Sequence, residues 1–155
     1  MKKRLAMLVL AGAMVTSSLT GCGLKDSATV ATVAGDEIPA GLANFYARMT
    51  QAQYESMYSS YLGDNMWTTE ASEGKTYEKL VKDEVLKDLE NMYLLEDHMD
   101  DYKISLSDDE KKAIKDAAKE FSKDNDKDDK EKVSGDTEYV ERYLTLATIK
   151  QKMTD

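Results

Sequence analysis

The spacing of apolar residues after Pro39, the only proline in the chain, is the feature that most constrains the fold. From Pro39 onward, apolar side chains recur at intervals of three and four residues, which is the pattern of helices with one buried face. The pattern predicts a first helix over residues 39–62 and a second over residues 76–102, separated by a loop at 66–75. Proline suits a first helical turn because its missing N–H would have no partner there.

A third helix is predicted from the Ser-Asp-Asp-Glu segment at residues 107–110, which has the pattern of a capping box. In this motif the serine accepts a hydrogen bond from the third backbone N–H, and the glutamate reaches back to the cap. Residues 122–133 contain almost no apolar side chain, so we expect a frayed helix end or a charged, mobile linker near 122–134. A last helix is predicted after Gly135.

Upstream of Pro39, residues 29–39 predict a short β-hairpin. Valines alternate there with small residues, and a Gly-Asp pair is typical of a tight turn. Residues 29–155 are therefore expected to form one mainly α domain, with a short N-terminal β-hairpin followed by about four helices.

The N-terminus has the three-part pattern of a secretory signal peptide. Basic residues occupy positions 2–4, an apolar run extends from Leu5 to Val15, and small polar residues follow. The apolar run is shorter than the roughly 20 residues that a membrane-spanning helix needs. We therefore assign residues 1–21 to a signal peptide that is removed after export.

The segment Leu19-Thr20-Gly21-Cys22 resembles the lipobox of bacterial lipoproteins. The resemblance implies cleavage before Cys22 and lipidation of that residue, which would anchor the chain to the extracytoplasmic face of the cell membrane. Stable attachment of this kind needs more than one acyl chain. Residues 22–28 then form a lipidated tether, and a single cysteine allows no internal disulfide.

The charge of the chain excludes a nucleic-acid partner. Residues 1–21 hold three of the 21 basic residues and none of the 30 acidic residues, so the remainder carries a net charge of −12. A surface this acidic repels phosphate backbones and anionic headgroups.

The sequence shows no catalytic or metal-binding pattern, and we expect no cofactor. His98, inside the predicted second helix, is the only histidine, whereas a zinc site needs several histidine or cysteine ligands. Asp124, Asp126 and Asp128 copy the first positions of a calcium loop, but the glycine at position 6 and the glutamate at position 12 are absent. A solvated charged segment is the better interpretation.

The order of these elements resembles the N-terminal region of PrsA/SurA-type extracytoplasmic foldases. The shared features are the segment 30–39, the Leu-Ala-Asn-Phe-Tyr helix at 42–46, the long second helix around 85–95 and the segment 104–110 before the third helix. Together they cover most of residues 29–150. The resemblance implies a SurA/trigger-factor-like peptide-binding lobe that holds unfolded or nascent secreted polypeptides.

Many members of this family add a parvulin-type peptidyl-prolyl isomerase domain, and the resemblance leaves alternatives open. Only 22 residues follow Val133, and the parvulin histidines have no counterpart, so we expect no isomerase activity from this chain. The chain is either an isomerase-free relative or, as its abrupt end favours, the N-terminal part of a longer isomerase. A non-catalytic accessory lipoprotein that docks a protein partner is the remaining alternative.

Chaperone activity requires exposed apolar surface, for which methionine and tyrosine are suited because the thioether adapts its shape and the phenol has a polar tip. The candidate client-contacting residues are Phe45, Tyr46, Met49, Tyr54, Met57, Tyr58, Tyr61 and Trp67. A stripe at helical spacing usually packs against the next helix, so we expect at least half of them in the core. If a C-terminal segment that packs on the hairpin in this family is missing, Val30, Val33 and Ile38 lose partners, and instability or a homodimer is expected.

Overall fold

A computed structural model describes residues 25–63, 65–72 and 74–154, with Ser59 described by its backbone alone. The predicted signal peptide, residues 1–21, and the predicted lipidation site, Cys22, lie outside the described residues. None of the described helices combines the length and the apolar character that a membrane crossing requires.

The predicted N-terminal hairpin is present. Strand β1, Thr29–Val33, pairs antiparallel with strand β2, Asp36–Pro39. Ala34 and Gly35 connect them with φ angles of 54° and 102°. Positive φ at both central residues is what a two-residue turn needs in order to follow the twist of the strands. Ile38 in β2 is fully buried, so one side of the hairpin packs on the helices.

Five α-helices follow the hairpin within the described residues. They are α1 (Ala40–Leu62), α2 (Tyr77–Asp97), α3 (Asp108–Asp124), α4 (Lys127–Val133) and α5 (Thr137–Thr154). Between α1 and α2, where the sequence predicted a loop, a 3-10 turn at Met66–Thr68 precedes a second antiparallel pair, β3 (Glu70–Ser72) and β4 (Lys75–Thr76). The mainly α fold with a short N-terminal β-hairpin is confirmed, with more helices than the four expected.

The second helix ends at Asp97 and not, as predicted, at Tyr102. A longer helix would place additional aspartates at its C-terminus, where the helix dipole disfavours negative charge. The backbone instead turns sharply over residues 98–103, and Lys103 has a φ angle of 57°. His98, which we placed inside the helix, is therefore its C-terminal cap.

The prediction of a frayed end or charged linker near 122–134 was wrong, because α3 continues into this region and Lys127–Val133 form the short helix α4. The Asp126 carboxylate caps α4 by accepting a hydrogen bond from the Asp129 N–H at 2.9 Å. Ser134 ends the helix with a φ angle of 51°. Capping and ion pairs within the helix stabilise α4 where the sequence lacks an apolar face.

Helix α2 lies at the centre of the core, in contact with α1, α5 and both strands of the N-terminal hairpin. The main apolar cluster consists of Ile38, Leu42, Ala47, Val81, Val85, Leu89, Met92, Tyr93 and Leu146. Val30 and Val33 pack against this cluster, and Ile38 belongs to it. All three hairpin residues therefore have partners, because α1 and α2 cover them. The instability or homodimer expected if a C-terminal segment is missing stays a prediction.

Helix α5 runs antiparallel to α2, and ion pairs fix its position. Arg142 donates two hydrogen bonds of 2.6 Å to Glu96, and Lys150 donates one of 2.6 Å to Asp88. The Arg142 guanidinium also lies 4.6 Å from the centre of the Tyr93 ring. Half-exposed pairs of this kind contribute at most about 1 kcal/mol each. Their main effect is to select one register between the two helices.

The predicted capping box at the start of α3 is confirmed. The Ser107 hydroxyl accepts a hydrogen bond from the Glu110 N–H at 3.2 Å, and the Glu110 carboxylate accepts one from the Ser107 N–H at 2.7 Å. Lys152 of α5 donates to the same carboxylate at 2.8 Å. Glu110 therefore closes the end of α3 and also joins α3 to α5.

This arrangement predicts an acid-dependent loss of stability through Glu110. Hydrogen bonds from Lys152 and then from Ser107 lower the pKa of Glu110 from 4.5 to about 2. Because the folded-state pKa is the lower one, the stabilisation is complete above pH 4.5 and is lost as the pH falls towards 2. In the Glu110→Gln variant this part of the acid dependence should disappear. Thermal unfolding of both proteins from pH 2 to neutrality measures it, and equal slopes would contradict the assignment.

Candidate peptide-binding surface

Helix α1 is buried along its first half and exposed along its second. In the first half, Leu42, Phe45 and Ala47 are 0%, 2% and 9% exposed. Beyond Gln51, none of the described side chains of α1 is buried. Helices α2 and α5 cover the first half, and the second half lies beside the 3-10 turn and the first turns of α2. The burial of a residue in this helix is therefore set by its distance from the hairpin.

Tyr54, Met57, Tyr58 and Tyr61 form one stripe along the exposed half of α1. Their spacing of i, i+3, i+4 and i+7 places them on one face of the helix. Tyr61 is 85% exposed, Met57 53% and Tyr58 39%. We refer to these four residues together with Trp67 as the α1 patch. Such a stripe presents adaptable apolar surface to water.

Tyr54 and Trp67 form the half-buried floor of the α1 patch. The centre of the Tyr54 ring lies 5.6 Å from that of Tyr58 and 6.3 Å from that of Trp67. Trp67 Nε1 donates a hydrogen bond to Glu55 Oε1 at 2.9 Å, and the Tyr54 hydroxyl donates one to Glu84 Oε2 at 3.4 Å. Burial, together with the nearby Glu84 carboxylate, raises the pKa of Tyr54, so this hydroxyl remains a donor at neutral pH. The exposed side chains therefore project from a fixed base.

Phe45 and Tyr46, which were also candidates for client contact, pack between helices. The Phe45 ring centre lies 5.5 Å from Phe121 and 5.7 Å from Tyr143, both in edge-on geometry. The Tyr46 ring lies 4.9 Å from Tyr143, and its hydroxyl donates to Asp88 Oδ2 at 2.7 Å. Burial and then the Asp88 contact raise the pKa of Tyr46. We assign both residues to the packing of α1 against α2, α3 and α5.

The eight candidate residues thus divide into two groups of four. Phe45, Tyr46, Tyr54 and Trp67 pack in or against the core, and Met49, Met57, Tyr58 and Tyr61 are exposed. We expected at least half of the eight in the core; of the four packed residues, Phe45 is buried, and Tyr46, Tyr54 and Trp67 are partly buried against it. Met49 lies outside the α1 patch, because eight residues of helix turn it about 80° away from Met57. Client contact by the exposed residues stays a prediction.

Two shallow depressions lie elsewhere on the surface. One, of about 360 Å³, is lined in part by Tyr46, Asp88 and Lys150. Asp88 already accepts hydrogen bonds from the other two, so the polar groups there are largely satisfied. The other, of about 330 Å³, has an acidic rim near the end of α2.

The residues that the sequence offered as metal ligands lie at or near helix ends. His98 Nδ1 lies 3.1 Å from Asp101 Oδ2 on the exposed surface. Asp124 is the last residue of α3, and Asp126 and Asp128 lie at the start of α4. Among the described residues, no cluster of three or more histidine, cysteine or carboxylate side chains is arranged to hold a metal ion.

Sequence reasoning missed Glu55 and Glu84, the two carboxylates that hold the floor of the α1 patch. The helical spacing of the tyrosines and Met57 indicates the stripe itself. In contrast, nothing distinguishes these two glutamates among 30 acidic residues until Tyr54 and Trp67 are placed beside them. Their role is a property of the tertiary structure.

A family model described as a SurA-like N-terminal domain matches residues 3–134. The matched range contains the hairpin, the helices α1 to α4 and therefore the whole α1 patch. No curated protein and no solved structure matches the chain.

Because Phe45 is buried and Tyr61 is exposed, alanine substitutions at the two positions should differ strongly in their effect on the free energy of unfolding. Phe45→Ala should lower the free energy of unfolding by about 3–5 kcal/mol, because it leaves a cavity beside Phe121 and Tyr143. Tyr61→Ala should change it by less than about 0.5 kcal/mol, because the side chain is exposed. Urea denaturation of both variants measures the difference. A strongly destabilised Tyr61→Ala would show that the stripe is packed and not exposed.

Proposed function

This chain belongs to the family of SurA-like N-terminal domains, and on that premise we propose that it is a membrane-anchored extracytoplasmic chaperone that binds unfolded exported polypeptides. Family membership gives a chaperone-related role. The proposal adds the anchor, the location and the class of client.

The observation that carries the proposal is the exposed stripe of the α1 patch. Contiguous apolar side chains on the surface of a soluble domain typically mark a site of interaction with another molecule. Methionine and tyrosine suit varied partners, because the thioether is flexible and the tyrosine ring offers an apolar face with a polar edge. A surface of this kind can bind many unfolded segments weakly without selecting one sequence.

The anchor is supported by the lipobox at Cys22 and by the position of the residues just after it. The Gly41 N–H donates a hydrogen bond to the Asp26 carbonyl at 2.8 Å, and the buried Ser134 hydroxyl donates one to the Asp26 carboxylate at 3.0 Å. The Ala40 N–H donates to the Ala28 carbonyl at 2.7 Å. Residues 26–28, which we assigned to the tether, are therefore held against the start of α1.

Docking of Asp26 shortens the connection to the proposed lipid. Four residue spacings separate Cys22 from Asp26, and an extended chain of that length reaches about 14 Å at most. The first turn of α1 is thus kept close to the membrane, and Tyr61 lies about 30 Å further along the helix axis. The proposed anchor and the proposed client surface occupy opposite ends of one helix.

Removing the exposed apolar side chains should abolish most of the chaperone activity. In a Met57→Ser, Tyr58→Ser, Tyr61→Ser triple variant, we expect about 10-fold more protein to be needed to suppress aggregation of a reduced, unfolded secreted protein. About one in three residues of a binding surface contributes more than about 1 kcal/mol, and a loss of about 1.4 kcal/mol is tenfold in affinity. Light scattering of the client measures the suppression.

The chain offers a matched control at the other end of α2. Leu94 and Tyr102 are also large, exposed apolar residues, 36% and 70% accessible. A Leu94→Ser, Tyr102→Ser variant should suppress aggregation as well as the wild type does. Equal losses in both variants would point to nonspecific hydrophobic contact. Full activity in the triple variant would reject the α1 patch as the client surface and favour a lipoprotein that docks a single folded partner elsewhere.

Replacing Cys22 with serine should release the protein from the membrane without unfolding it. The thioether to the lipid cannot form on serine, whereas the buried apolar residues of the described core all lie at or after Ile38. Fractionation of membranes, with a labelled fatty acid to detect acylation, measures the release, and circular dichroism checks the fold. A variant that still sediments with membranes would contradict the lipid anchor.

A further inference from the structure

We infer that the α1 patch selects polypeptide segments in which lysine or arginine lies beside a large apolar residue. The inference rests on the proposed function for binding itself and adds the chemical class of the client. It is carried by the two carboxylates at the floor of the patch and by the charge around them.

Glu55 and Glu84 are exposed carboxylates in direct contact with the patch. Glu55 Oε1 accepts hydrogen bonds from Trp67 Nε1 at 2.9 Å and from Gln51 Nε2 at 2.8 Å, and Glu84 Oε2 accepts from Tyr54 at 3.4 Å. In the described part of the chain, neither carboxylate forms an ion pair. A carboxylate has about four acceptor positions, so both can still receive donors from a bound segment.

The described cations near the patch are engaged elsewhere or reach these carboxylates only indirectly, as Arg48 reaches Glu55 through Gln51. Lys75 and Lys79 both bond to Asp83, at 3.0 Å and 3.2 Å. Lys87 lies one turn from Glu84 on α2 but forms no ion pair with it in the described structure.

Elsewhere in the same chain, a tyrosine and a glutamate together hold a cationic side chain. The Arg142 guanidinium lies 4.6 Å from the centre of the Tyr93 ring and donates two hydrogen bonds to Glu96. A tyrosine face attracts a cation, and a glutamate beside it fixes the cation's position. The α1 patch also combines aromatic side chains with glutamates, since Tyr54 and Trp67 donate to Glu84 and Glu55, and Tyr58 and Tyr61 beside them are exposed.

Charge also decides between the other possible occupants. A second copy of residues 22–155 would bring a net charge of −12 and the same two glutamates to the interface, and anionic lipid headgroups would be repelled in the same way. An acidic client segment meets the same repulsion. A polypeptide segment with basic residues beside apolar ones is complementary to both the carboxylates and the apolar side chains of the patch.

Three labelled, unstructured peptides test the inference. They share the same aromatic residues and differ only in carrying lysine, glutamine or glutamate beside them. Fluorescence anisotropy with the purified protein should give the tightest binding for the lysine peptide, about 5-fold tighter than for the glutamine peptide, and the weakest for the glutamate peptide. Raising the salt concentration to about 1 M should remove most of the difference, because the charges are exposed.

A Glu55→Gln, Glu84→Gln variant should bind the lysine and glutamine peptides equally. Glutamine keeps an oxygen that accepts the bonds from Trp67 and Tyr54, so the floor of the patch is preserved while the charge is removed. Glu120→Gln is the matched control, because this exposed glutamate on α3 lies outside the patch and forms no ion pair in the described structure. It should retain the preference for lysine.

The outcomes separate the inference from the proposed function. Equal binding of all three peptides by the wild type would overturn the charge preference and leave the chaperone role in place. No binding of any peptide would overturn both. A dimer that the triple variant of the α1 patch abolishes, and that the peptides do not dissociate, would make a second copy the occupant and reject the inference.

Discussion

The contact of the Tyr143 ring with both Phe45 and Tyr46 determines how the rest of the molecule is arranged. It brings α5 back across the first half of α1, and Phe121 completes the packing from α3. Helix α5 follows the residues that match the family, yet it supplies Val140, Leu146 and Ile149 to the buried set. Among the described elements, α3 and α5 cover only the hairpin end of α1, and the other end lies beside the 3-10 turn and the first turns of α2. The exposed stripe is therefore a consequence of where α5 packs.

The acidity of the chain is compatible with an exposed apolar surface. A stripe of methionine and tyrosine favours association between copies, whereas a high net charge of one sign opposes it. The ion pairs that do form lie mainly between helices or within one helix, and they use lysines such as Lys150 and Lys152 to hold α5 in register. These basic residues are therefore engaged in ion pairs of the fold. The excess carboxylates, including those beside the α1 patch, remain on the surface.

Local signals in the sequence were enough to predict most of the secondary-structure elements, but they did not predict the tertiary arrangement. The hairpin follows from the alternating valines and a turn pair, and the start of α3 follows from its capping box, since both depend on neighbours along the chain. Helix α4 was missed because its stability comes from the cap at Asp126 and not from apolar periodicity. The helical spacing of Tyr54, Met57 and Tyr58 was visible in the sequence, but spacing does not show which half of a long helix is covered by other elements. That depends on Tyr143, more than eighty residues away along the chain.

The length of α1 links the proposed anchor to the proposed selectivity. Under the proposed lipidation, the docked Asp26 keeps the start of α1 near the membrane. The exposed stripe of α1, residues 54–61, then lies about 20–30 Å further along the helix axis, whereas the electrostatic screening length at physiological salt is about 8 Å. The field of the membrane is almost fully screened over that distance. Under the proposed function, a basic segment close to the patch would therefore be attracted chiefly by the carboxylates of the patch itself, and the choice of client would depend on this surface and not on the proposed membrane attachment.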